Sequence, residues 1–321
     1  MKVLLICPKF FEYEKKIQEL IKKEIGYEVF YLNLAEYKHE YINIFERIYN
    51  NLFYKPILKK NLRDQKWMGN VIKKIEKIKR EIDIVLYIRP DGVHEKLIKY
   101  LKGLNVRLIG HQWDTMNSLH GIEKYIKYFN KFSTFDLEEA KKYKIGFIPN
   151  FYLKERKDLN IEEKLDIFTI ISYDERVESL EKIARDLKRR NKKYLFLVYS
   201  KNKKIKSEYL KIVYSPISLE KIYELIQLSD IVLEIGHTRN IKQGGLSFRA
   251  IDCIGMKKKL VTSYSFVKTY DFYSKNNIYV LEEGEYKISE EFFKNKYLDI
   301  DREIFINYSG EKWIKKILGV Y

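Results

Sequence analysis

The sequence predicts an α/β protein of two doubly wound domains, and three observations lead to this class. Short apolar segments alternate with amphipathic helical patterns from the N-terminus onward. The alternation stops at Pro149-Asn150 and the charged stretch 154–164, and it starts again at Leu165. A length of 321 residues is enough for two domains with full cores.

The first half of the chain holds six predicted strands and six predicted helices. The strands are residues 2–7, 28–34, 82–88, 106–109, 132–135 and 146–149. The helices are residues 11–24, 36–50, 57–80, 94–103, 118–129 and 137–143. Short apolar strands separated by amphipathic helices are typical of a parallel sheet covered on both faces.

The second half repeats this pattern and ends in a helical segment. Its predicted strands are residues 165–172, 194–199, 210–214, 231–235, 259–262 and 278–281. Its predicted helices are residues 176–189, 219–228 and 245–254. We therefore predict a domain at 1–152, a second at 153–300, a cleft between them, and a C-terminal helix within 301–321 that crosses back to the first domain.

Composition indicates a globular protein without a membrane span. Apolar residues make up 45% of the chain and charged residues 33%, and no apolar run approaches the roughly 18–20 residues that cross a bilayer. The first residues predict a strand rather than a signal peptide. Cys7 and Cys253 lie in apolar patterns, as reduced core cysteines do, so we expect a cytoplasmic protein without disulfides.

The net charge of +17 has two possible causes, a compositional bias toward Lys, Ile, Tyr and Asn or a polyanionic partner. Residues 55–80 contain ten Lys and Arg against Asp64 and Glu76, with apolar residues at helical spacing. We expect the apolar stripe of this basic helix to face the core. Its basic face could rest on anionic lipid head groups of the inner membrane surface.

The segment from Ser229 to Gly255 contains the strongest candidate site. A predicted strand runs into a polar loop that ends at Gly244 and Gly245, and a helix follows. Unpaired amides at a helix start suit a phosphate, and Arg249 adds a planar cation. An ordinary strand–loop–helix unit with an Arg249–Asp252 ion pair is the equally weighted alternative.

Two further loops follow predicted strands. Ser172 and Arg176 could bind phosphate, although a helix start favoured by two neighbouring carboxylates is the simpler interpretation. In the first domain, Asp114 could act as a general base toward an acceptor hydroxyl. His111 and His120 are alternatives, because imidazole titrates near neutral pH.

Several common signatures are missing from the sequence. It has no Walker A loop, no GxGxxG after the first strand, no HExxH and no GxSxG. This argues against hydride transfer, P-loop ATP hydrolysis and serine hydrolysis.

Six short motifs, in order along the chain, resemble a group of bacterial GT-B glycosyltransferases encoded with capsule and lipopolysaccharide genes. They are Gln112-Trp-Asp-Thr115, Phe135-Asp-Leu-Glu-Glu-Ala-Lys-Lys-Tyr143, Ile148-Pro-Asn-Phe-Tyr152, Gln243-Gly-Gly-Leu-Ser-Phe-Arg249, Lys258-Lys-Leu-Val-Thr-Ser263 and Tyr270-Asp-Phe-Tyr273. Members of this group usually have Glu where this chain has Asp252, and a Gly-rich loop before the residue equivalent to Arg176.

The resemblance implies two Rossmann-like domains, the second of which binds a nucleotide-sugar. The nucleotide-binding residues that it implies are Arg176, Gln243, Gly244, Gly245, Ser247, Arg249 and, at the ribose, Asp252. Asp114 or His111 would serve the acceptor side. No metal ligand or cofactor is implied, since the nucleotide-sugar is the donor substrate.

These observations predict a metal-independent glycosyltransferase that moves a hexosyl or related sugar to a surface-polysaccharide or lipid-linked glycan acceptor. Peripheral contact with anionic membrane would involve residues 55–80, and no nucleic acid partner is expected. One alternative is a GT-B-like nucleotide-sugar epimerase or hydrolase. The other is a non-enzymatic basic α/β protein that binds polyanions.

Overall fold

The computed structural model describes residues 1–90, 93–116, 121–155, 164–237 and 243–320. The chain divides into two compact units, residues 1–148 with 314–321 and residues 149–313. Each unit contains one six-stranded sheet, and every strand pair in both sheets is parallel.

The sheet of the first unit has the strand order β2-β1-β3-β4-β5-β6. Its strands are β1 (Lys2–Ile6), β2 (Glu28–Leu32), β3 (Ile84–Ile88), β4 (Arg107–Gln112), β5 (Lys131–Thr134) and β6 (Gly146–Phe147). All five residues of the central strand β3 are buried. This fits an apolar, β-branched sequence in a sheet covered on both faces.

Helices of unequal length surround this sheet. They are α1 (Tyr13–Leu20), α2 (Ile44–Tyr49), α3 (Lys55–Leu58), α4 (Leu62–Glu76), α5 (Glu95–Gly103), α6 (Leu137–Tyr143) and residues 314–318 of α12 (Gly310–Leu318). Single π-helical turns follow α1 (Ile21–Ile25) and join α2 to α3 (Asn50–Tyr54), and 3₁₀ turns occur at Leu34–Tyr37, Lys79–Glu81 and Glu123–Tyr128.

The sheet of the second unit has the strand order β12-β11-β10-β7-β8-β9. Its strands are β7 (Leu165–Ser172), β8 (Tyr194–Tyr199), β9 (Lys211–Val213), β10 (Ser229–Glu234), β11 (Lys259–Thr262) and β12 (Ile278–Val280). Its helices are α7 (Val177–Arg189), α8 (Leu219–Leu228), α9 (Phe248–Gly255), α10 (Glu290–Lys294) and α11 (Arg302–Asn307), with a 3₁₀ turn at Ser265–Thr269. The predicted α/β class with two parallel sheets is confirmed.

Two predicted helices are broken in the structure. The helix predicted over 57–80 is split because Lys59 takes a left-handed conformation with φ of 49°, and Asn61 then caps α4 by accepting from the Arg63 amide at 2.9 Å. The helix predicted over 36–50 is reduced to a 3₁₀ turn and α2.

The closing segment forms two helices rather than one. Residues 308–310 leave the helical path to pair with Tyr152. The Tyr152 amide donates to the Tyr308 carbonyl at 2.9 Å, and the Gly310 amide donates to the Tyr152 carbonyl at 3.0 Å. No helix in the described part of the chain is long and apolar enough to cross a membrane.

Two helical glycines lie in opposite surroundings and give a matched pair of substitutions. A Cβ added to Gly255, at the end of α9, would lie 2.6 Å from both the Lys154 carbonyl oxygen and Cγ of Tyr152, whereas one added to Gly69, inside α4, would meet nothing within 4 Å. We expect Gly255→Ala to lower the free energy of unfolding by about 1–3 kcal/mol. Gly69→Ala should raise it by up to ~1 kcal/mol, because Ala loses less backbone entropy in a helix.

Urea unfolding of both variants beside the wild type measures these changes. An equal effect of the two substitutions would contradict the assignment of close backbone contact at Gly255.

Candidate functional site

In the second unit, three loops follow the carboxyl ends of the adjacent strands β7, β10 and β11. Direct hydrogen bonds join them. Nη1 of Arg176, after β7, donates to the Ile235 carbonyl at 3.3 Å, and the Gly236 amide donates to the Ser263 hydroxyl at 2.8 Å. This edge of a parallel sheet is where α/β proteins bind their ligands.

The loop before α9 is fixed through Leu246. Nδ2 of Asn150 donates to the Leu246 carbonyl at 2.9 Å, and the Leu246 amide donates to the Tyr270 hydroxyl at 3.3 Å. Three of the motifs that carry the family resemblance therefore meet at the backbone of one residue, Leu246.

Gln243 shapes the same loop. Its amide nitrogen donates to the Gly245 carbonyl at 2.5 Å, and its side chain is buried. Gly244 and Gly245 are buried as well. The structure thus places all three predicted residues beside the helix start, with the Gln243 amide engaged by the loop itself.

Helix α9 begins later than predicted, at Phe248 instead of Gly245. Ser247 has extended backbone angles and caps the helix, because its hydroxyl accepts from the Ala250 amide at 3.3 Å. The same hydroxyl donates to a carboxylate oxygen of Glu234. The Ser247 side chain is therefore engaged, whereas the first amides of α9 have no carbonyl acceptor within the helix.

Glu234, the last residue of β10, is a site residue that the sequence analysis missed. It is 5% exposed, and its Oε2 has no hydrogen-bond partner in the described part of the chain. Burial raises the pKa of its carboxyl, while the Ser247 hydrogen bond and the charges of Arg249 and Arg176 act in the opposite direction. One signal in the sequence could have identified it: Glu234 is the only acidic residue in the predicted strand 231–235, whose other residues are apolar.

Arg249 lies in the first turn of α9 and is half-buried. Burial lowers the pKa of its guanidinium, while the charge of Glu234 raises it and the charge of Arg176 lowers it. The structure contains no Arg249–Asp252 ion pair. Asp252 is buried and accepts instead from the Tyr223 hydroxyl of α8 at 3.1 Å, so the alternative of an internal ion pair is wrong.

Arg176 lies beside this helix start but is bound by a carboxylate. Its Nε and Nη2 donate to the two oxygens of Asp174 at 2.9 and 2.6 Å. His237 contacts the same group, with its Nδ1 3.0 Å from Oε1 of Glu175 and its Nε2 3.8 Å from Oδ2 of Asp174. The possible ligand atoms of Asp174, Glu175 and His237 lie within 4.8 Å of one another, although Asp174 is already the acceptor for Arg176.

In the first unit, Asp114 follows β4 and Arg89 follows the adjacent β3. The Asp114 carboxylate accepts from the Thr115 amide at 3.0 Å, and its Oδ2 lies 3.9 Å from Nη2 of Arg89. Its side chain is 42% exposed. Asp114 therefore combines a solvent-exposed carboxylate with a neighbouring cation.

Thr115 and Thr134 hold this loop by donating to the buried Glu139 at 2.7 and 3.3 Å. Glu139 belongs to the motif 135–143 and Thr115 to the motif 112–115, so two further motifs of the resemblance meet here.

His111 has the properties of a structural histidine. It is fully buried, its Nδ1 lies 2.9 Å from the Ser133 hydroxyl, and burial lowers its pKa to about 3. An imidazole with so low a pKa and no solvent contact is a poor base for an acceptor hydroxyl, so Asp114 stays the candidate. His120 lies outside the described residues.

Solved structures of nucleotide-sugar enzymes are similar to the chain along its whole length. An alpha-glucosyltransferase in complex with UDP and a 13-mer DNA containing a HMU base has 13% identity and a TM-score of 0.61, with 98% of this chain and 97% of that chain covered. A glycosyltransferase from Rickettsia africae has 12% identity and a TM-score of 0.57, with 100% and 97% covered.

A UDP-GlcNAc 2-epimerase from Methanocaldococcus jannaschii, in complex with UDP-GlcNAc and UDP, also has 12% identity and a TM-score of 0.57, with 100% and 99% covered. These similarities confirm the GT-B fold class. No protein-family model matches the chain, and no curated protein matches it. Membership of the capsule and lipopolysaccharide group stays a prediction.

The buried Glu234 carboxyl gives a pH-dependent prediction. Because its pKa is raised in the folded state, the folded protein holds this proton more tightly than the unfolded chain. Its contribution to stability therefore falls as the pH rises above the unfolded pKa of about 4.3. Gln has no proton to lose, so the stability of Glu234→Gln relative to the wild type should increase between pH 4.5 and pH 8.

Thermal midpoints at both pH values measure this difference. Glu283→Gln, at an exposed position, is the control and should show none. A constant difference between Glu234→Gln and the wild type would mean that folding does not raise the pKa of the Glu234 carboxyl.

Proposed function

We propose that this protein transfers a sugar from a UDP-sugar donor to a glycan or glycolipid acceptor of the surface-polysaccharide class. The observation that carries the proposal is the Arg249 guanidinium in the first turn of α9, close enough to Arg176 for their charges to interact. The similarity to enzymes solved with UDP supports the choice of nucleotide.

The chemistry requires stabilisation of the departing nucleoside diphosphate. Positive charge that is already in place at the leaving oxygens lowers the barrier, because little reorganisation is needed during the reaction. The amides at the start of α9 and the Arg249 fork would contact the diphosphate. Arg176 would contribute by exchanging Asp174 for a phosphate oxygen.

This arrangement provides positive charge from two guanidinium groups and one helix start, so we propose that donor binding needs no metal. Within the site, Asp174 orients Arg176, and Glu234 orients Ser247. Gln243, Gly244 and Gly245 form the turn before the helix. Asp252 is engaged by Tyr223, and we leave it out of the proposed ligand contacts.

On the acceptor side, we propose that Asp114 takes the proton from the attacking hydroxyl. Its support is its position after β4, its exposed carboxylate and its proximity to Arg89. Thr115 and Glu139 hold the loop, so that the carboxylate has a defined direction.

A nucleotide-sugar epimerase is the second candidate, because one of the similar structures is a UDP-GlcNAc 2-epimerase. The two functions differ in their need for an acceptor. An epimerase changes the donor sugar alone, which proton NMR of the nucleotide-sugar detects, whereas a transferase releases UDP as the acceptor is consumed.

The donor site predicts stabilisation by UDP. At a UDP concentration of about 100 times Kd, the free energy of unfolding of the unit that binds it should rise by roughly 2.7 kcal/mol, measured as an increase in its thermal midpoint. Arg249→Ala should weaken UDP binding about 10- to 100-fold through loss of a charge-assisted contact.

Arg63→Ala, on the exposed surface of α4, is the matched control and should leave UDP binding unchanged. The shift should persist in EDTA, since the proposed contacts include no metal. If no nucleoside diphosphate shifts the midpoint, both the transferase and the epimerase proposals fail.

Asp114→Asn separates catalysis from donor binding. Removing a general base typically costs about 10²- to 10⁴-fold in rate, so UDP release from the preferred UDP-sugar should fall by that order. The UDP-dependent thermal shift should be unchanged. Asp64→Asn on α4 is the control and should keep the wild-type rate. If Asp114→Asn also turned over at the wild-type rate, another group would have to take the proton.

A further inference from the structure

The segment from Ile42 to Lys60 presents apolar side chains to solvent. Helix α2, a π-helical turn and α3 follow one another without a break from Ile44 to Leu58. Nine large apolar side chains in this segment are 44% to 77% exposed, among them Ile42, Ile44, Phe45, Leu52, Phe53 and Ile57. Monomeric proteins rarely expose a contiguous apolar surface unless it has a partner.

Two polar residues of this segment, Glu46 and Asn50, are held on the protein side. Asn50 is 1% exposed. Its amide nitrogen donates to the Tyr41 hydroxyl at 2.9 Å, and its amide oxygen accepts from the Leu62 amide at 2.8 Å. A surface helix of a globular protein normally buries its apolar face and exposes its polar one. Here the large apolar side chains are exposed instead, and the hydrogen bonds of the buried Asn50 fix this orientation.

Glu46, one helical turn before Asn50, is held in the same manner. Its carboxylate accepts from the Ile42 amide at 2.8 Å and from the Lys66 ammonium, and it lies 3.2 Å from Nε2 of His39. These contacts, the Lys66 hydrogen bond first among them, lower its pKa to about 2. The negative charge of Glu46 is therefore balanced by its own neighbours.

The exposed charges of the segment are all positive. Glu46 is the only acidic residue between positions 41 and 60. Arg47, Lys55, Lys59 and Lys60 are exposed. Apolar side chains interleaved with cations are the composition of a helix that lies in the interface of a bilayer with anionic lipids.

We infer that residues 42–60 are a membrane-docking surface that inserts its apolar side chains into a bilayer while its cations contact anionic head groups. A second copy of the chain is the less suitable occupant, because a symmetric contact would bring like charges together. Anionic lipid head groups, in contrast, would neutralise the positive charges of this segment. This inference does not depend on the identity of the donor nucleotide.

The basic helix α4 has a supporting role in this arrangement. Met68, Val71 and Ile75 are at most 2% exposed, so its apolar stripe packs in the core as the sequence predicts. The exposed cations of α4, including Lys73 and Lys74, can add electrostatic attraction only. Insertion has to come from the segment that precedes α4.

The test is co-sedimentation of the full chain with phosphatidylcholine vesicles and with vesicles of phosphatidylcholine and phosphatidylglycerol at 3:1. We expect preferential binding to the anionic vesicles. The double variant Phe45→Ser/Ile57→Ser should reduce partitioning at least 10-fold, since each substitution removes a large apolar side chain. Lys59→Ser/Lys60→Ser should reduce it about 10-fold and weaken its salt dependence.

Leu298→Ser, at an apolar residue of the second unit that is 49% exposed, is the matched control and should bind like the wild type. All variants should keep the thermal midpoint and the UDP binding of the wild type. A loss of vesicle binding would then be independent of the donor site. Equal binding to neutral and anionic vesicles, or no binding, would overturn the inference. So would a wild-type dimer in sedimentation that the Phe45→Ser/Ile57→Ser variant dissociates.

Discussion

The candidate donor site depends on how the backbone of Leu246 is held. Both polar groups of this residue are bound by side chains from remote parts of the chain, the carbonyl by Asn150 and the amide by Tyr270. Leu246 itself is 1% exposed. A loop between a strand and a helix has few hydrogen bonds of its own, so these two contacts fix the backbone just before α9 and with it the direction of the first amides of the helix. Phosphate recognition by a helix start needs that direction fixed.

The acidic residues beside Arg176 and Arg249 offset the positive charge of the two guanidinium groups. Two guanidinium groups near each other repel, and burial disfavours the charge of each. Asp174 compensates Arg176 directly, and Glu234 compensates Arg249 through its charge while its hydrogen bond goes to Ser247. The site can thus hold buried cations without a ligand. A diphosphate, with more charge than either carboxylate, can compete for them.

Elements with a strong local pattern were predicted from the sequence almost to the residue. The bounds of β7, β8, α8 and β11 are those predicted, because an apolar run or a helical period bounded by polar residues leaves little choice. The start of α9 was predicted three residues early. Both glycines could have opened the helix, and the deciding contact, Ser247 with Glu234, joins two elements. The bonds of Leu246 and Thr115 join residues 20 or more positions apart, beyond the reach of any local rule.

The segment from Ile42 to Lys60 shows a different limit of sequence reasoning. Helical periodicity identifies an apolar face but does not say whether that face is inside or outside, and the usual assumption places it inside. Here Glu46 and Asn50, four residues apart, find partners on the protein side in Lys66, Tyr41 and Leu62. Those polar contacts turn the opposite face outward. Burying the apolar face instead would expose Asn50 and Glu46 to water and would remove the side-chain acceptor of the Leu62 amide at the start of α4. The polar anchors therefore decide the orientation of the helix, and the exposed apolar surface follows from them.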